Sequence, residues 1–292
     1  MPSYQVPTDY TGQSAKEFLR HRAGISLTLW RKIKKQDDFY INEVQTSPGL
    51  ATIKPGDVIR YTLEQTSSIE PVALPLEICY EDAEILVINK PAGQLVHPTT
   101  KEHVTTLGNG VLHYYKENSL PFSFHPVHRL DKNTSGLVLI AKLPQIQHQL
   151  STKNKMFHRS YQAIIKGSLT PESGEINAPI ARKEGSIIER TVADNGQPSL
   201  TYFKTLQKNE HFSLLELELA TGRTHQIRVH MAHIGHPLLG DDLYGETSAY
   251  ISRQALHAFS LEFIQPTTQK TIRVTCPLPD DMSRVLSLFP MY

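Results

Sequence analysis

Alternation and helical spacing divide the chain into legible pieces. Leu215, Leu217 and Leu219 alternate with Glu216 and Glu218, the period of a half-buried strand. "ATGR" (220–223) breaks that strand. Ile227, Met231 and Ile234 then fall on one helical face, with Gly235 and Pro237 as a stop. "LVLIAK" (137–142) and "EILVINK" (84–90) are short apolar runs beside turn formers, which predicts interior strands. In "RSYQAIIKG" (159–167), Tyr161, Ala163 and Ile165 share one face of an alternating strand. Nearer the N-terminus, two short helices are predicted. One starts at Ser14, and the other starts near Ser26 and carries Leu27, Trp30 and Ile33 at helical spacing. "FYINEV" (39–44) reads as a strand, and "KPGDVIRYTL" (54–63) as a Pro-Gly turn with a second strand. "QTSSIEPVALP" (65–75), broken by two prolines, reads as a linker. It divides the chain into units of 1–70 and 75–292.

Composition narrows the class. The chain has 292 residues, 39% hydrophobic and 20% charged, with a net charge of +1. Those values suit a soluble globular protein, and they leave no global basic field to attract nucleic acid. Any such contact must come from local patches. One candidate lies between Ser14 and Lys35, where Lys16, Arg20, Arg22, Arg31, Lys32, Lys34 and Lys35 face a single acid, Glu17. Composition alone makes this run a solvated helix face. Cys79 and Cys276 are far apart and in no metal-ligand spacing, which predicts a reducing compartment without disulfides. "MPSYQVPTDYTGQ" lacks a signal-peptide pattern, and no apolar run approaches the roughly 20 residues of a membrane span. A cytoplasmic monomer with no membrane contact is expected.

The stretch with the most chemistry is "HPVHRLDKNTSG" (125–136). "DKNTSG" is rich in turn formers, so Asp131 reads first as a turn residue. Its neighbours add a second reading. A carboxylate at the mouth of a buried strand loses water, which disfavours its charge, and a nearby guanidinium restores it. Such a carboxylate is a good nucleophile or base. The sequence alone does not say which cation would serve. Tyr161 is either a core tyrosine or a ring that stacks on a base. His225, His230, His233 and His236, followed by Asp241 and Asp242, suggest a metal site. Against it, His225 and His230 point in different directions on a helix, and no Cys or Glu completes a familiar tetrahedral set. Satisfied polar or RNA-facing histidines are the preferred reading, with no metal.

Taken together, these pieces resemble the pseudouridine synthases of the Rlu type, which isomerise uridines in ribosomal RNA and some transfer RNA. The resemblance spans nearly all of residues 75–290. "ILVINKPAGQLVHP" (85–98) is similar to the opening block. "HPVHRLDKNTSGLVLIAK" (125–142) resembles the block with the catalytic aspartate, and "RSYQAIIKG" the block with the active-site tyrosine. "TGRTHQIRVHMAHIGHPLLGDDLYG" (221–245) resembles the block with a basic pocket residue, and "QALHAFSLEF" and "CPLPDDM" the closing segments.

The resemblance implies an α+β fold, with a mixed, mainly antiparallel sheet, flanking helices and a central cleft. It also implies roles. Asp131 would be catalytic, Tyr161 would pack against the target uracil, and Arg228 would pair with Asp131. Arg129 would displace the target nucleotide from its stack or fill the gap left behind. Leu238 or Leu239 would wall the pocket, and Lys90 would lie near RNA. No cofactor is implied. The partner would be RNA, with large-subunit ribosomal RNA expected and transfer RNA the alternative.

Residues 1–70 are similar to a small α/β RNA-binding domain shared with a small-subunit ribosomal protein, here called S-four-like. Two departures stand out: "KKQDD" replaces the usual glycine before the strand, and Asn42–Glu43 replaces an Asn-Gly turn. Two readings of other classes compete. One is a metal-dependent nuclease or phosphohydrolase using the histidines with Asp241 and Asp242. The other is a non-catalytic RNA-binding module, against which the joint presence of Asp131, Tyr161 and Arg228 argues.

Overall fold

In a computed structural model, which describes residues 3–36, 38–62, 67–152 and 157–288, the chain builds two main sheets. The first comes from β1 (Ser3–Gln5), β2 (Phe39–Ile41), β3 (Val44–Gln45) and β4 (Val58–Tyr61), in the order β1-β4-β2-β3. Against it lie α1 (Ala15–His21) and α2 (Leu27–Ile33). Ser14 and Ser26 cap these helices, their hydroxyls accepting the N–H groups of Glu17 and Leu29. Phe18, Leu19, Trp30, Ile33, Phe39 and Tyr61 form the core of this unit.

Two details differ from the sequence reading. Leu29, not Leu27, completes the buried face of α2; Leu27 is 40% exposed. A first-turn side chain leans toward the helix N-terminus, beyond the surface the helix covers. "FYINEV" is also a hairpin and not one strand. Asn42 and Glu43 turn it with φ of 49° and 65°, and the Asn42 amide is tied to Asp57.

The second sheet has ten strands. Those on its main path are β5 (Glu77–Glu81), β6 (Ile85–Lys90), β8 (Ser135–Ala141), β9 (Phe157–Lys166), β10 (Ser173–Asn177), β13 (Leu200–Lys208), β14 (Phe212–Leu219) and β15 (Leu256–Ile264). Their order is β10-β13-β14-β9-β15-β8-β6-β5, with β7 (His125–Pro126) beside β8 and β16 (Thr271–Thr275) beside β15. Among the described residues, every pairing in this sheet is antiparallel except β8 with β15. A separate hairpin is formed by β11 (Ile180–Arg182) and β12 (Arg190–Val192). The architecture is thus mixed α/β with a largely antiparallel sheet, as the resemblance implied.

Both faces of this sheet are covered, which explains the continuous apolar runs. On β8, Val138 and Ile140 point into one core while Leu137 and Leu139 point into another. The first core holds Tyr161, Ala163, Ile165, Leu215 and Leu217, with α3 (Leu107–Glu117) and α5 (Gln226–His233). The opposite face takes α4 (Pro144–Thr152) and α6 (Asp280–Leu288). Helix α5 ends where predicted. Gly235 adopts φ 82°, and the N–H of His236 reaches back to the carbonyl of Met231.

Gly136 sits where β8 meets β15 with φ 115°, and a Cβ there would lie 2.3 Å from the carbonyl oxygen of Ala258. Only glycine allows this close approach. Residues 67–75 carry no helix or strand, but they do not hang free. Asn109 of α3 donates to the Glu70 carbonyl and accepts from the Val72 N–H through its own carbonyl, which straps the segment to the larger unit. Gln65 and Thr66 lie outside the described residues. The two units touch at α4, where Gln149 donates to the carbonyl of Ala23 at 2.9 Å.

Candidate active site

The turn between β7 and β8 carries Asp131. Its carbonyl accepts the N–H of Thr134 at 3.1 Å, so Asp131 opens the turn, and its carboxylate is directed elsewhere. The turn is held residue by residue from distant parts of the chain. Lys90 Nζ donates to the carbonyl of Lys132, and Arg253 Nη1 to that of Asn133. Gln254 donates to the Thr134 hydroxyl, and Arg253 Nη2 to the Ser135 hydroxyl. Arg253 is itself fixed by Asp281 of α6 at 2.6 and 2.9 Å.

Lys90 is fully buried and also donates to the carbonyls of Pro91 and Gln94. Burial, with Arg253 adding repulsion, pushes its pKa down to about 7. The expected place near RNA is therefore not where its side chain lies. It points inward and fastens the Asp131 turn.

Asp131 faces a cavity of about 310 Å³ that is also lined by Arg129, Leu130, Phe157, Arg159, Tyr161, His225, Arg228 and Leu256. That volume is near the small end of ligand pockets, roughly 300–1,000 Å³. Tyr161 presents its ring from β9 and is 4% exposed; burial raises the pKa of its hydroxyl. Arg129 is exposed at the rim.

Arg228, on α5, brings its Nη1 to 3.5 Å from Asp131 Oδ2. Its firmer partner is Asp241, fully buried, which accepts Nε and Nη2 at 2.7 Å each. The guanidinium carbon lies 5.0 Å from the centre of the Tyr244 ring. Arg228 is thus oriented by a bidentate pair and a ring, and it offers its remaining nitrogen to Asp131.

Neither Leu238 nor Leu239 lines the cavity. Successive side chains point to opposite sides, so Leu238 joins the core that also holds Tyr161, and Leu239 joins the cluster on the other face with Ile164 and Met282. The apolar wall is made by Leu130, Leu219, Ile227 and Leu256. Leu256 stands in "QALHAFSLEF", so its motif was visible but its direction was not.

The histidines do not converge. His230 is buried between the Thr201 hydroxyl and the Ala178 carbonyl, and His225 bonds Tyr244. Asp241 is taken by Arg228. Among the described residues, no three His, Cys, Asp or Glu side chains are placed to hold a metal ion.

The family model for RNA pseudouridylate synthase matches residues 84–233. A Bacillus subtilis protein named uncharacterized RNA pseudouridine synthase YjbO is 42% identical over 80% of this chain and 84% of its own length. Ribosomal large subunit pseudouridine synthase D of Xanthomonas campestris is 37% identical over 93% of this chain and 85% of its own. Among solved structures, human RNA pseudouridylate synthase domain containing 4 shares the fold with a TM-score of 0.62 at 23% identity, covering 74% of this chain and 94% of that one. A cleft built around an aspartate–arginine pair, on a chain so closely related along most of its length, belongs to the RNA pseudouridylate synthase family, and the protein is an isomerase acting on RNA.

Proposed function

We propose that the protein converts specific uridines of large-subunit ribosomal RNA to pseudouridine, with Asp131 as the catalytic carboxylate. One observation carries the reading: a carboxylate at the cavity mouth, 23% exposed, opposite an arginine that a second, buried carboxylate holds in place. The relative named for the large ribosomal subunit supports the choice of RNA.

The reaction breaks the bond from uracil N1 to the ribose, turns the base and rejoins it through C5. The C5 proton is lost and N1 gains one, so no electrons or groups are left over and no cofactor is called for. Three physical demands follow. The nucleotide must leave its stack, at a cost of a few kcal/mol. Arg129, exposed at the rim, can fill the gap. Asp131 must reach the sugar and base, and Arg228 sets a positive charge 3.5 Å from its Oδ2. The detached base must turn without escaping, and the Tyr161 ring with the Leu256 wall confines it.

Recognition of the surrounding RNA falls to shape and phosphate contacts. The basic helices α1 and α2, in the unit that resembles the S-four-like domain, would supply some of them. Comparing pseudouridine maps of ribosomal and transfer RNA from cells with and without this protein tests the proposal. Loss of a site in large-subunit RNA is expected; loss confined to transfer RNA would overturn the choice of substrate.

A further inference from the structure

His225 caps the start of helix α5, and the cap is unusual in two ways. Its φ of 57° and ψ of 20° are left-handed, a region that disfavours a bulky side chain, whereas helix caps are normally extended. The side chain also makes no capping hydrogen bond. Instead the imidazole bridges two other groups. Its Nδ1 is 2.8 Å from the Tyr244 hydroxyl, and its Nε2 is 3.8 Å from Asp131 Oδ1. Strain of this kind persists where the surroundings demand it, and it concentrates at functional sites.

Tyr244 favours one of the two ring tautomers. Its hydroxyl accepts the backbone N–H of Arg190 at 2.9 Å, which leaves its own proton for His225 Nδ1. With that proton donated, Nδ1 accepts, and the ring proton falls on Nε2, which faces the carboxylate. The other tautomer would set a lone pair against Asp131 Oδ1. Burial lowers the His225 pKa most. Asp131 and Asp241 oppose that lowering, Arg228 and Arg190 add to it, and the ring stays neutral near pH 7.

We propose that His225 is a positioning residue for Asp131: locked as the Nε2-protonated tautomer by Tyr244, it donates to Oδ1 while Arg228 holds Oδ2. Each carboxylate oxygen then has its own donor, and the group cannot turn freely about its terminal bond. The present 3.8 Å is long for a hydrogen bond, and a shift of about 1 Å closes it. The proposal rests on Asp131 acting on the nucleoside.

Two measurements test it. In full-length protein with 15N-labelled histidine, the His225 signals are assigned by their loss in His225→Gln. An Nε2-protonated neutral ring is expected, and an Nδ1-protonated ring would overturn the proposal. In turnover assays, His225→Ala should lower kcat about 10- to 100-fold with little change in KM for RNA, the scale of one hydrogen bond to a charged group. His225→Gln, which keeps a donor, should recover part of the loss. An unchanged kcat in His225→Ala, or a loss wholly in KM, overturns the proposal. Asp131→Asn is run beside them. If it is active, the reading of the site itself fails. If it is inactive while His225→Ala turns over normally, only the role of His225 fails. Should His225→Ala not fold, the tautomer measured in the unmutated protein decides.

Discussion

Asp131 and Asp241 both face Arg228, and the structure gives them opposite duties. Asp241→Asn removes the charge from a carboxylate that is fully buried and makes two 2.7 Å bonds to the guanidinium. It leaves Arg228, only 7% exposed at its side chain, without a buried counter-charge. Breaking a buried pair by removing one partner costs about 3–5 kcal/mol. For a cooperative unit of this size, each kcal/mol lowers Tm by about 2–4 °C, which predicts a drop of roughly 6–20 °C. Asp131→Asn removes only one contact of 3.5 Å from a side chain that is 23% exposed. A pair of that kind contributes about 0–1 kcal/mol, so Tm should move by less than about 4 °C. Thermal unfolding followed by circular dichroism compares the two variants directly. If Asp241→Asn melts with the unmutated protein, or Asp131→Asn melts as low as Asp241→Asn, then the assignment of anchor and catalytic carboxylate is wrong.

Other outcomes follow from the same geometry. Gly136→Ala forces a Cβ against the Ala258 carbonyl at a φ of 115°, and should cost about 3 kcal/mol or more; a urea midpoint equal to that of the unmutated protein would contradict this. Burial, with Lys32, Arg159 and Arg253 respectively adding repulsion, pushes His125, His128 and His257 down to about 4, 3 and 4. The unfolded chain takes up these protons near pH 6.5 while the fold refuses them. Stability from this source is therefore full above pH 6.5 and is lost as pH falls toward 4. Urea unfolding at stepped pH should show the decline, and His128→Gln should make it shallower; flat stability from pH 6.5 to 5 would refute it. Turnover should be indifferent to EDTA in monovalent salt that keeps the RNA folded; loss of activity restored by a divalent ion would contradict the metal-free reading of the site.

The sequence made some parts plain and hid others, for physical reasons. The apolar run behind Asp131 was legible because both its faces are buried, and Gly235 marked the end of α5 because few residues tolerate its conformation. What pairs with what was less visible. The partners of Arg228 lie 97 residues before it and 13 after it, and no periodicity encodes either contact. Asp241 was noticed as a possible metal ligand, since a carboxylate among histidines reads the same whether it faces an ion or an arginine. Leu238 and Leu239 were chosen by motif position, but the backbone there turns them into two different cores. Lys90 was placed near RNA by its motif, and only the fold reveals the three carbonyls that accept from it. The left-handed backbone of His225 leaves no compositional trace at all.

The most direct test uses purified protein and transcribed large-subunit ribosomal RNA. Unmutated protein should form pseudouridine at a defined position, and Asp131→Asn should bind the same RNA with similar affinity and form none. Measurable pseudouridine from Asp131→Asn would contradict the account at its centre.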